Sequence, residues 1–268
     1  MTAVKNIVWC LEKDLFGDRH SRLIAAIEDS GGKYLEWQDE WLLNGQIPKL
    51  ADNKVVFHGS LGNASQIKEI TSWNPGAFCN TKSFYCSAWY PLWQEHLVHQ
   101  TWITSTVEEL VNNPAVAKQI ASNNTVFVRP DSPLKPFSGR VIKLKGLQLK
   151  DLDYGYYYSD RNLPIIIAPI VEITAEYRFV IVDNQVVAGS SYEPEGREEG
   201  VSLHSDNSAW QYAQSIVKKE LAPEAVYILD IGKVGGDYCV LELNPFSGAD
   251  LYSCNRKAIV TAIGELLS

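Results

Sequence analysis

Hydrophobic positions in the first part of the chain switch between strand-like and helix-like spacing. The predicted strands cover residues 4–11, 33–37, 55–58 and 76–79, and the predicted helices cover residues 19–30 and 64–73. Gly31 and Gly32 follow the first helix and mark its end. Strands that alternate with helices are typical of an α/β unit with a parallel sheet. We therefore predict an N-terminal α/β domain over residues 1–79.

The pattern changes in the second part of the chain, where strands dominate. The predicted strands cover residues 125–130, 139–144, 163–170, 176–182 and 185–191, and the predicted helices cover residues 82–96, 106–112, 210–221 and 253–266. A run of consecutive strands favours antiparallel pairing. The fold class that we predict is an α/β N-terminal domain followed by an α+β fold, with antiparallel sheets and flanking helices.

A β-hairpin is predicted near the C-terminal end. Residues 227–234 and 238–244 are rich in β-branched and aromatic residues. Gly235-Gly236-Asp237 lies between them and suits a three-residue turn, because glycine accepts a positive φ.

Facing Val234 with Tyr238 sets the register of this hairpin. The remaining opposed pairs are Ile228 with Asn244, Leu229 with Leu243, Asp230 with Glu242, and Ile231 with Leu241. Leucine and isoleucine then occupy one face, and a slip by one residue would mix the two faces. The register therefore predicts an apolar face beneath a face that carries two carboxylates and an amide.

Asp230, Glu242 and Asn244 form a candidate metal site on the polar face. Like charges directly opposite each other destabilise a sheet, so we expect a cation between the two acids. Mg²⁺ is the natural candidate, since it binds oxygen ligands with few carboxylates and is completed by water and phosphates. The alternative is a solvated face with ordinary acids. The interleaved leucines and the following Asn-Pro favour a site.

Composition narrows the function classes. The chain of 268 residues is 46% hydrophobic, which is enough for a substantial core, and carries a net charge of -8 without a basic block. A duplex-binding surface is therefore not expected. No apolar run approaches the roughly 18 residues that span a membrane. Five scattered cysteines without a CxxC motif, and a start without a signal-like segment, favour a cytoplasmic protein with free thiols.

Basic residues upstream of the hairpin could meet phosphates. They are Arg129, Lys135, Arg140, Lys143 and Arg178. Arg178 shares a strand face with Glu176 by period-2 alternation. Arginine and lysine are the usual donors to phosphate, although each residue alone is also explained by a surface salt bridge. As a set they favour a metal–nucleotide site.

In the order of its motifs, the chain resembles the ATP-grasp superfamily from about residue 80 to residue 256. Asn80-Thr81-Lys82 resembles the helix start with the first nucleotide-binding lysine, and FVRP at residues 127–130 resembles the strand with the second lysine. Arg129 replaces that lysine, as in a RimK-related branch. PIVEI at residues 169–173 resembles the hinge strand that holds adenine.

The later motifs complete the resemblance. AEYRFVIVDNQVVA at residues 175–188 resembles the strand pair whose acid meets ribose and whose arginine meets phosphates. LDI at residues 229–231 and LELNP at residues 241–245 resemble the two strands that carry metal ligands. The implied ATP-grasp domain covers residues 80–268, with two subdomains and the nucleotide between them.

The resemblance implies roles for individual residues. Asp230, Glu242 and Asn244 would hold Mg²⁺, with Mn²⁺ as an alternative. The implied nucleotide-binding residues are Lys82, Arg129, Lys135, Lys143, Glu172, Ile173, Glu176 and Arg178. Arg178 and Lys135 would also act on the transferring phosphoryl group. Either Glu172 or Glu176 would contact the ribose, and residues 193–208, with Arg197, are a candidate lid.

The implied activity is that of an ATP-dependent carboxylate–amine ligase. ATP would phosphorylate a carboxylate, and an amine would displace phosphate from the acylphosphate to form an amide or peptide bond. The partners would be a small-molecule or peptide carboxylate and an amine nucleophile. Two alternatives stay open: a small-molecule kinase on the same fold, and a non-catalytic nucleotide-binding or partner-binding module. The pattern does not fix the acid, the amine or the oligomeric state.

Overall fold

A computed structural model describes residues 6–13, 15–50, 54–152, 160–192 and 200–268. By its internal contacts the chain divides into two compact units. Unit 1 contains Met1–Asn80 and Ala175–Ser268, and unit 2 contains Thr81–Thr174. The predicted domains at residues 1–79 and 80–268 divide the chain differently and stay a prediction.

Unit 1 begins with a parallel sheet. Its strands are β1 (Ile7–Leu11), β2 (Lys33–Glu36), β3 (Lys54–His58) and β4 (Asn74–Gly76), and its helices are α1 (Asp18–Asp29), α2 (Glu40–Asn44) and α3 (Leu61–Ile70). The strand order is β2-β1-β3-β4, and all pairs are parallel. Every residue of β1 is buried, as expected for a central parallel strand. The α/β start is therefore confirmed, with β4 slightly earlier than predicted.

Unit 2 is built on an antiparallel sheet of its own. Its helices are α4 (Cys86–Trp89) and α5 (Val107–Asn112), and its strands are β5 (Ile103–Thr106), β6 (Thr125–Pro130), β7 (Arg140–Lys143) and β8 (Pro164–Ala168). The strand order is β5-β8-β6-β7. Thr106 caps α5, because its side chain accepts a hydrogen bond from the amide of Glu109. Strand β5 was not predicted, since its sequence ITST has no long apolar run.

The single helix predicted over residues 82–96 is wrong. The segment forms a 3-10 turn at Thr81–Phe84, the short helix α4, and a second 3-10 turn at Gln94–His96. Pro91 cannot donate a helical hydrogen bond and disfavours the helical conformation before it. The aromatic side chains of Trp89 and Trp93 are at most 2% exposed, so core packing rather than helical spacing decides the path of this segment.

Unit 1 continues with an antiparallel sheet. Its strands are β9 (Ala175–Val182), β10 (Gln185–Tyr192), β11 (Ser202–Leu203), β12 (Val226–Val234) and β13 (Asp237–Pro245), and its helices are α6 (Ser208–Val217) and α7 (Arg256–Leu266). The order is β11-β10-β9-β12-β13. Asn207 and Asn255 cap the two helices through their side chains. No helix in the described part of the chain has the length and apolar character needed to cross a membrane.

One hydrophobic core joins the two sheets of unit 1. Its buried members include Trp9 of β1, Leu23 of α1, Ile228 of β12 and Ile259 of α7. These positions come from both ends of the sequence, which explains why residues 1–80 and 175–268 form one unit.

The β12–β13 hairpin confirms the predicted register next to the candidate site. Ile228 pairs with Asn244, Leu229 with Leu243, and Asp230 with Glu242. Beyond Asp230 a β-bulge shifts the register by one residue.

The predicted pairs near the turn are therefore wrong. Ile231 pairs with Val240 instead of Leu241, and Val234 pairs with Asp237 instead of Tyr238. The turn contains two residues, Gly235 and Gly236, with φ of 57° and 110°. Leu241 is the extra residue. Its side chain lies over Gly232, where an added Cβ would come within 2.7 Å of Leu241 Cδ2.

Candidate active site

Four neighbouring strands of unit 1 bring polar side chains into one line across the sheet. Arg178 of β9 pairs with Ser190 of β10 on one side and with Asp230 of β12 on the other. Asp230 pairs in turn with Glu242 of β13. Directly opposed residues of antiparallel strands share a face of the sheet. We call these four residues the polar row.

The centre of the polar row is a buried ion pair. Arg178 Nε donates to Asp230 Oδ1 over 2.8 Å, and Nη2 donates to Oδ2 over 2.7 Å. The two residues are only 8% and 2% exposed. Burial by itself would lower the pKa of Arg178, but the charge and hydrogen bonds of Asp230 more than offset this and raise the pKa well above its ordinary value. Arg178 is therefore permanently charged and held in a bidentate geometry.

This ion pair was missed by the sequence reasoning. The opposed acids Asp230 and Glu242 were expected to need a metal between them, whereas Arg178 already supplies a positive charge beside Asp230. The partnership depends on the register between β9 and β12, which are separated by about fifty residues of sequence. Local patterns carry no signal for such a pairing.

The oxygen atoms that remain in the polar row fit a hard cation. Asn244 donates from Nδ2 to Asp230 Oδ2 over 3.1 Å, so Asp230 uses three of about four lone-pair sites on Arg178 and Asn244. One site on Asp230, the carboxylate of Glu242 and the amide oxygen of Asn244 are the kind of ligands that Mg²⁺ prefers. Among the described residues, no group of three His, Cys, Asp or Glu side chains could hold a metal ion, so a metal in the polar row would depend on Asn244.

Two tyrosines hold the Arg178 side chain in place. The rings of Tyr192 and Tyr252 stack with centroids 4.8 Å apart, and Arg178 Cζ lies 4.8 Å from the centroid of Tyr252. Arg178 Nη1 also donates to the carbonyl oxygen of Asp250 over 2.8 Å. Of the five N–H groups of a guanidinium, two keep no partner among the described residues.

Glu176 lies beside the polar row. It faces Tyr192 on β10 and Gly232 on β12. Burial raises the pKa of Glu176, and the hydrogen bond with Tyr192 only partly offsets this effect. Alternation along β9 predicted that Glu176 and Arg178 share a face, and the register confirms it. Tyr192 and Tyr252 were not predicted, and only the register of β10 with β9 could have indicated Tyr192.

In unit 2, the candidate cations lie on different faces of the sheet. Arg129 alternates with the buried residue Val128 and therefore lies on the face away from the core. Lys143 pairs with Thr125 and lies on the same face as Arg129. Arg140 pairs with Val128, so it lies on the core face. The expectation that Arg140 projects together with Arg129 is therefore wrong.

The other candidates of unit 2 lie in turns and extended segments. Lys82 is exposed in the 3-10 turn Thr81–Phe84, and Lys135 is exposed after β6 with a φ of 49°. Glu172 and Ile173 are also exposed and directly precede Thr174, the last residue of unit 2. The predicted hinge segment thus coincides with a boundary between the two units.

The candidate lid is only partly described. Residues 193–199, with Arg197, lie outside the described residues. After them, Ser202 and Leu203 form β11 and pair with Ser190 and Gly189 of β10. Its role as a lid stays a prediction.

His99 is a further residue that the sequence reasoning missed. Its ring stacks on Phe127 with centroids 5.3 Å apart and an interplanar angle of 24°. Burial, and next the charge of Arg129, lower the pKa of His99 to about 4. A neutral, buried imidazole therefore lies near Arg129 on the face of β6 that carries this arginine.

Sequence comparison agrees with this arrangement of sheets and polar residues. A family model for the ATP-grasp domain matches residues 98–262, which is more than half of the chain. The chain is therefore an ATP-grasp protein. Within that class it belongs to the second family of one particular clade. This confirms the predicted superfamily and fold class. No curated protein matches the chain by sequence.

Solved structures share the fold at low sequence identity. A RimK domain protein of the ATP-grasp class from Sphaerobacter thermophilus DSM 20745 has a TM-score of 0.62 and 11% identity, over 97% of this chain and 99% of that chain. The ATP-grasp ligase PsnB, complexed with precursor peptide PsnA2 and AMPPNP, has a TM-score of 0.58 and 12% identity, over 100% and 99%. The macrocyclase MdnC from Microcystis aeruginosa MRC, bound with precursor peptide MdnA, has a TM-score of 0.57 and 14% identity, over 97% and 98%.

Proposed function

We propose that this protein is an ATP-dependent ligase that joins a carboxylate to an amine and releases ADP and phosphate. The observation that carries the proposal is the polar row, in which a buried bidentate ion pair fixes Arg178 beside Glu242 and Asn244. Membership of the ATP-grasp family supports it. Related folds belong to a ligase and a macrocyclase that were solved with precursor peptides, so a peptide is one candidate for a substrate.

The proposed cofactors are ATP and a divalent metal, Mg²⁺ or Mn²⁺. A structure of PsnB contains Mg and ADP, which supports magnesium. Glu242, Asn244 and the remaining lone pair of Asp230 would hold the metal, which would neutralise charge on the phosphates when bound. The proposed phosphate ligands from unit 2 are Lys82, Arg129, Lys135 and Lys143.

Glu172 is the better candidate for the ribose contact. It is exposed next to Ile173, in the segment proposed to hold adenine. Glu176 is instead engaged with Tyr192 and lies beside the polar row. We therefore assign Glu172 and Ile173 to the adenine–ribose end of the nucleotide.

The proposed chemistry has two steps. A carboxylate oxygen attacks the γ-phosphorus of ATP, and the bond to ADP breaks. The amine nitrogen then attacks the acyl carbon, phosphate leaves, and the nitrogen loses a proton. Arg178 and Lys135 would stabilise negative charge on the phosphoryl oxygens. Because Asp230, Asp250 and Tyr252 already fix Arg178, its two unused N–H groups need no rearrangement to meet that charge.

The cellular setting belongs to the same proposal. Each of the five cysteines carries a thiol outside any disulfide, and burial is the largest cause that raises the pKa of Cys10, Cys79, Cys239 and Cys254. Unreactive thiols fit a reducing compartment such as the cytoplasm. We propose small-molecule or peptide partners and no nucleic acid, in line with the net charge of -8.

A screen for ADP release tests this function. Amino acids and short peptides are paired in all combinations with ATP and Mg²⁺, and the products are identified by mass spectrometry. We expect ADP release only when both an acid and an amine are present, together with an amide product. A stable phosphorylated product without an amide would indicate a kinase. Tight ATP binding without turnover over the whole screen would indicate a binding module.

A further inference from the structure

A second cluster of polar groups surrounds a small cavity in unit 1. The cavity has a volume of about 10 Å³ and is lined by Arg19 and His20 of α1, His58 of β3, Asp250, and Arg256 of α7, among others. That volume suits a group about the size of one water molecule. None of the roles proposed above uses Arg19, His20, His58 or Arg256.

Arg256 is a buried cation whose charge is not neutralised by an ion pair with any described residue. It is 6% exposed, and Nη1 donates to the carbonyl oxygens of Leu251 and Cys254. Nε and Nη2 are buried and have no hydrogen-bond partner among the described residues. Asp250, which also lines the cavity, is engaged in an ion pair with Arg19. A buried charge without a counter-ion is costly, so a bound anion would offset a real penalty.

The unused edge of Arg256 has a specific shape. Nε and Nη2 lie on the same side of the guanidinium and form the fork that binds the two oxygens of a carboxylate in parallel. Within the described part of the chain, only Nη1 is occupied. The fork is therefore kept for a ligand rather than for the fold.

The two histidines of the cavity are short of a proton. His20 Nδ1 lies 3.3 Å from the carbonyl oxygen of Lys13, His20 Nε2 lies 3.2 Å from His58 Nδ1, and His58 Nε2 lies 3.0 Å from the carbonyl oxygen of Ala249. Each of these three contacts needs one N–H, but two neutral imidazoles carry only two.

A third proton would satisfy all three contacts but would add a positive charge next to Arg256. Burial is the largest cause that lowers the pKa of both histidines, to about 3 for His58, so the pair stays neutral when nothing balances the added charge. An anion in the cavity would provide that balance. The unpartnered fork and the missing proton thus point independently to a negative ligand.

We propose that this cavity is a binding site for a small monovalent anion, either a free halide or a carboxylate group, held by Nε and Nη2 of Arg256. The site is independent of the proposed ligase activity. It is nevertheless connected to the polar row, because Ala249 accepts from His58 while the next residue, Asp250, accepts from Arg178. An anion would therefore fix the segment that positions Arg178 from behind.

Thermal unfolding in different salts tests the site. The full chain is measured at constant ionic strength in sodium chloride, sodium formate or sodium methanesulfonate, whose anion is too bulky for the cavity. We expect Tm to rise by roughly 3 °C at ten times the dissociation constant of the bound anion. A rise in both chloride and formate indicates a site for any small anion, and a rise in formate alone indicates a carboxylate site.

Variants of two neighbouring residues separate binding from a general salt effect. Arg256→Gln should lose the anion-dependent rise in Tm. Lys257→Gln should keep it, because Lys257 is exposed on the same helix and carries the same charge. If Arg256→Gln does not fold, Arg256→Lys removes the fork but keeps the charge, and it should weaken the rise at least tenfold in anion concentration.

A direct measurement complements unfolding. In chloride, the wild-type protein should broaden the ³⁵Cl NMR line, and formate should reverse the broadening by competition. The proposal is overturned if Tm is the same in all three salts without ³⁵Cl broadening, or if Arg256→Gln keeps the full rise.

Discussion

Arg178 is the residue on which the polar row depends, and it is held from three directions. Asp230 binds two of its nitrogens, the carbonyl oxygen of Asp250 binds the third, and Tyr252 covers the plane of the guanidinium. Such a side chain can present charge to a ligand without moving. The sequence indicated Arg178 as a phosphate ligand but not its ion pair, because the pairing rests on contacts between distant strands.

The ion pair predicts an asymmetry between single and double substitutions. Arg178→Met should lower the free energy of unfolding by about 3–5 kcal/mol, because Asp230 is left buried without its partner. The double variant Arg178→Met/Asp230→Leu should recover a large part of this loss, because it leaves no buried charge. Denaturant unfolding measures both. Strictly additive losses would show that the two residues are not coupled.

His99 predicts how stability depends on pH. Its pKa is lowered from 6.5 to about 4 in the folded protein, so between these values the unfolded state binds the extra proton. The free energy of unfolding should therefore fall as the pH drops from 6.5 towards 4, by up to about 1.4 kcal/mol per pH unit from this residue. His99→Gln should flatten that slope. His204→Gln removes an exposed histidine and should leave the slope unchanged. Equal slopes in all three proteins would contradict the assignment.

At the level of elements, alternation along each strand predicted more than helical spacing did. It placed Asp230 opposite Glu242 correctly, since an apolar face fixes the register close to the core. It failed near the turn, because the bulge at Leu241 depends on space above Gly232 that a local pattern does not show. The broken segment 82–96 failed for a related reason, since burial of its aromatic residues overrides its spacing.

The bulge predicts the effect of adding one methyl group. Gly232→Ala should destabilise the protein by about 1–2 kcal/mol, because its Cβ would overlap the side chain of Leu241. The double variant Gly232→Ala/Leu241→Ala should regain most of that loss, because the overlap is gone. A double variant no more stable than Gly232→Ala, measured by denaturant unfolding, would show that this contact is not the cause.

At the level of the whole molecule, sequence order and core membership differ. The sequence predicted an α/β start and antiparallel sheets, and both are confirmed. It did not predict that residues from the start, such as Trp9, share a core with Ile228 and Ile259. Local periodicity shows which residues are buried but not which of them meet. The same limit hid the partners of Arg178 and the cavity at Arg256.

This shared core predicts which fragments fold. Residues 80–268 alone should fail to fold cooperatively, because they lack β1 and α1, which supply Trp9 and Leu23 to the core. Residues 81–174 are the matched fragment, because unit 2 has a separate core around Val126 and Ile167, and they should fold. Circular dichroism during thermal unfolding measures both. A cooperative transition in the fragment 80–268 would instead support the predicted domain boundary.

ATP binding measured by calorimetry, with and without Mg²⁺, tests the central claim most directly, because it needs no knowledge of the acid or the amine. We predict that the wild-type protein binds ATP more tightly with Mg²⁺. Glu242→Ala/Asn244→Ala should lose that gain while its circular dichroism is unchanged. Asp237→Ala, an exposed acid on the same hairpin, should keep it. Equal Mg²⁺-dependent affinity in the wild type and in Glu242→Ala/Asn244→Ala would contradict a metal–nucleotide site at the polar row.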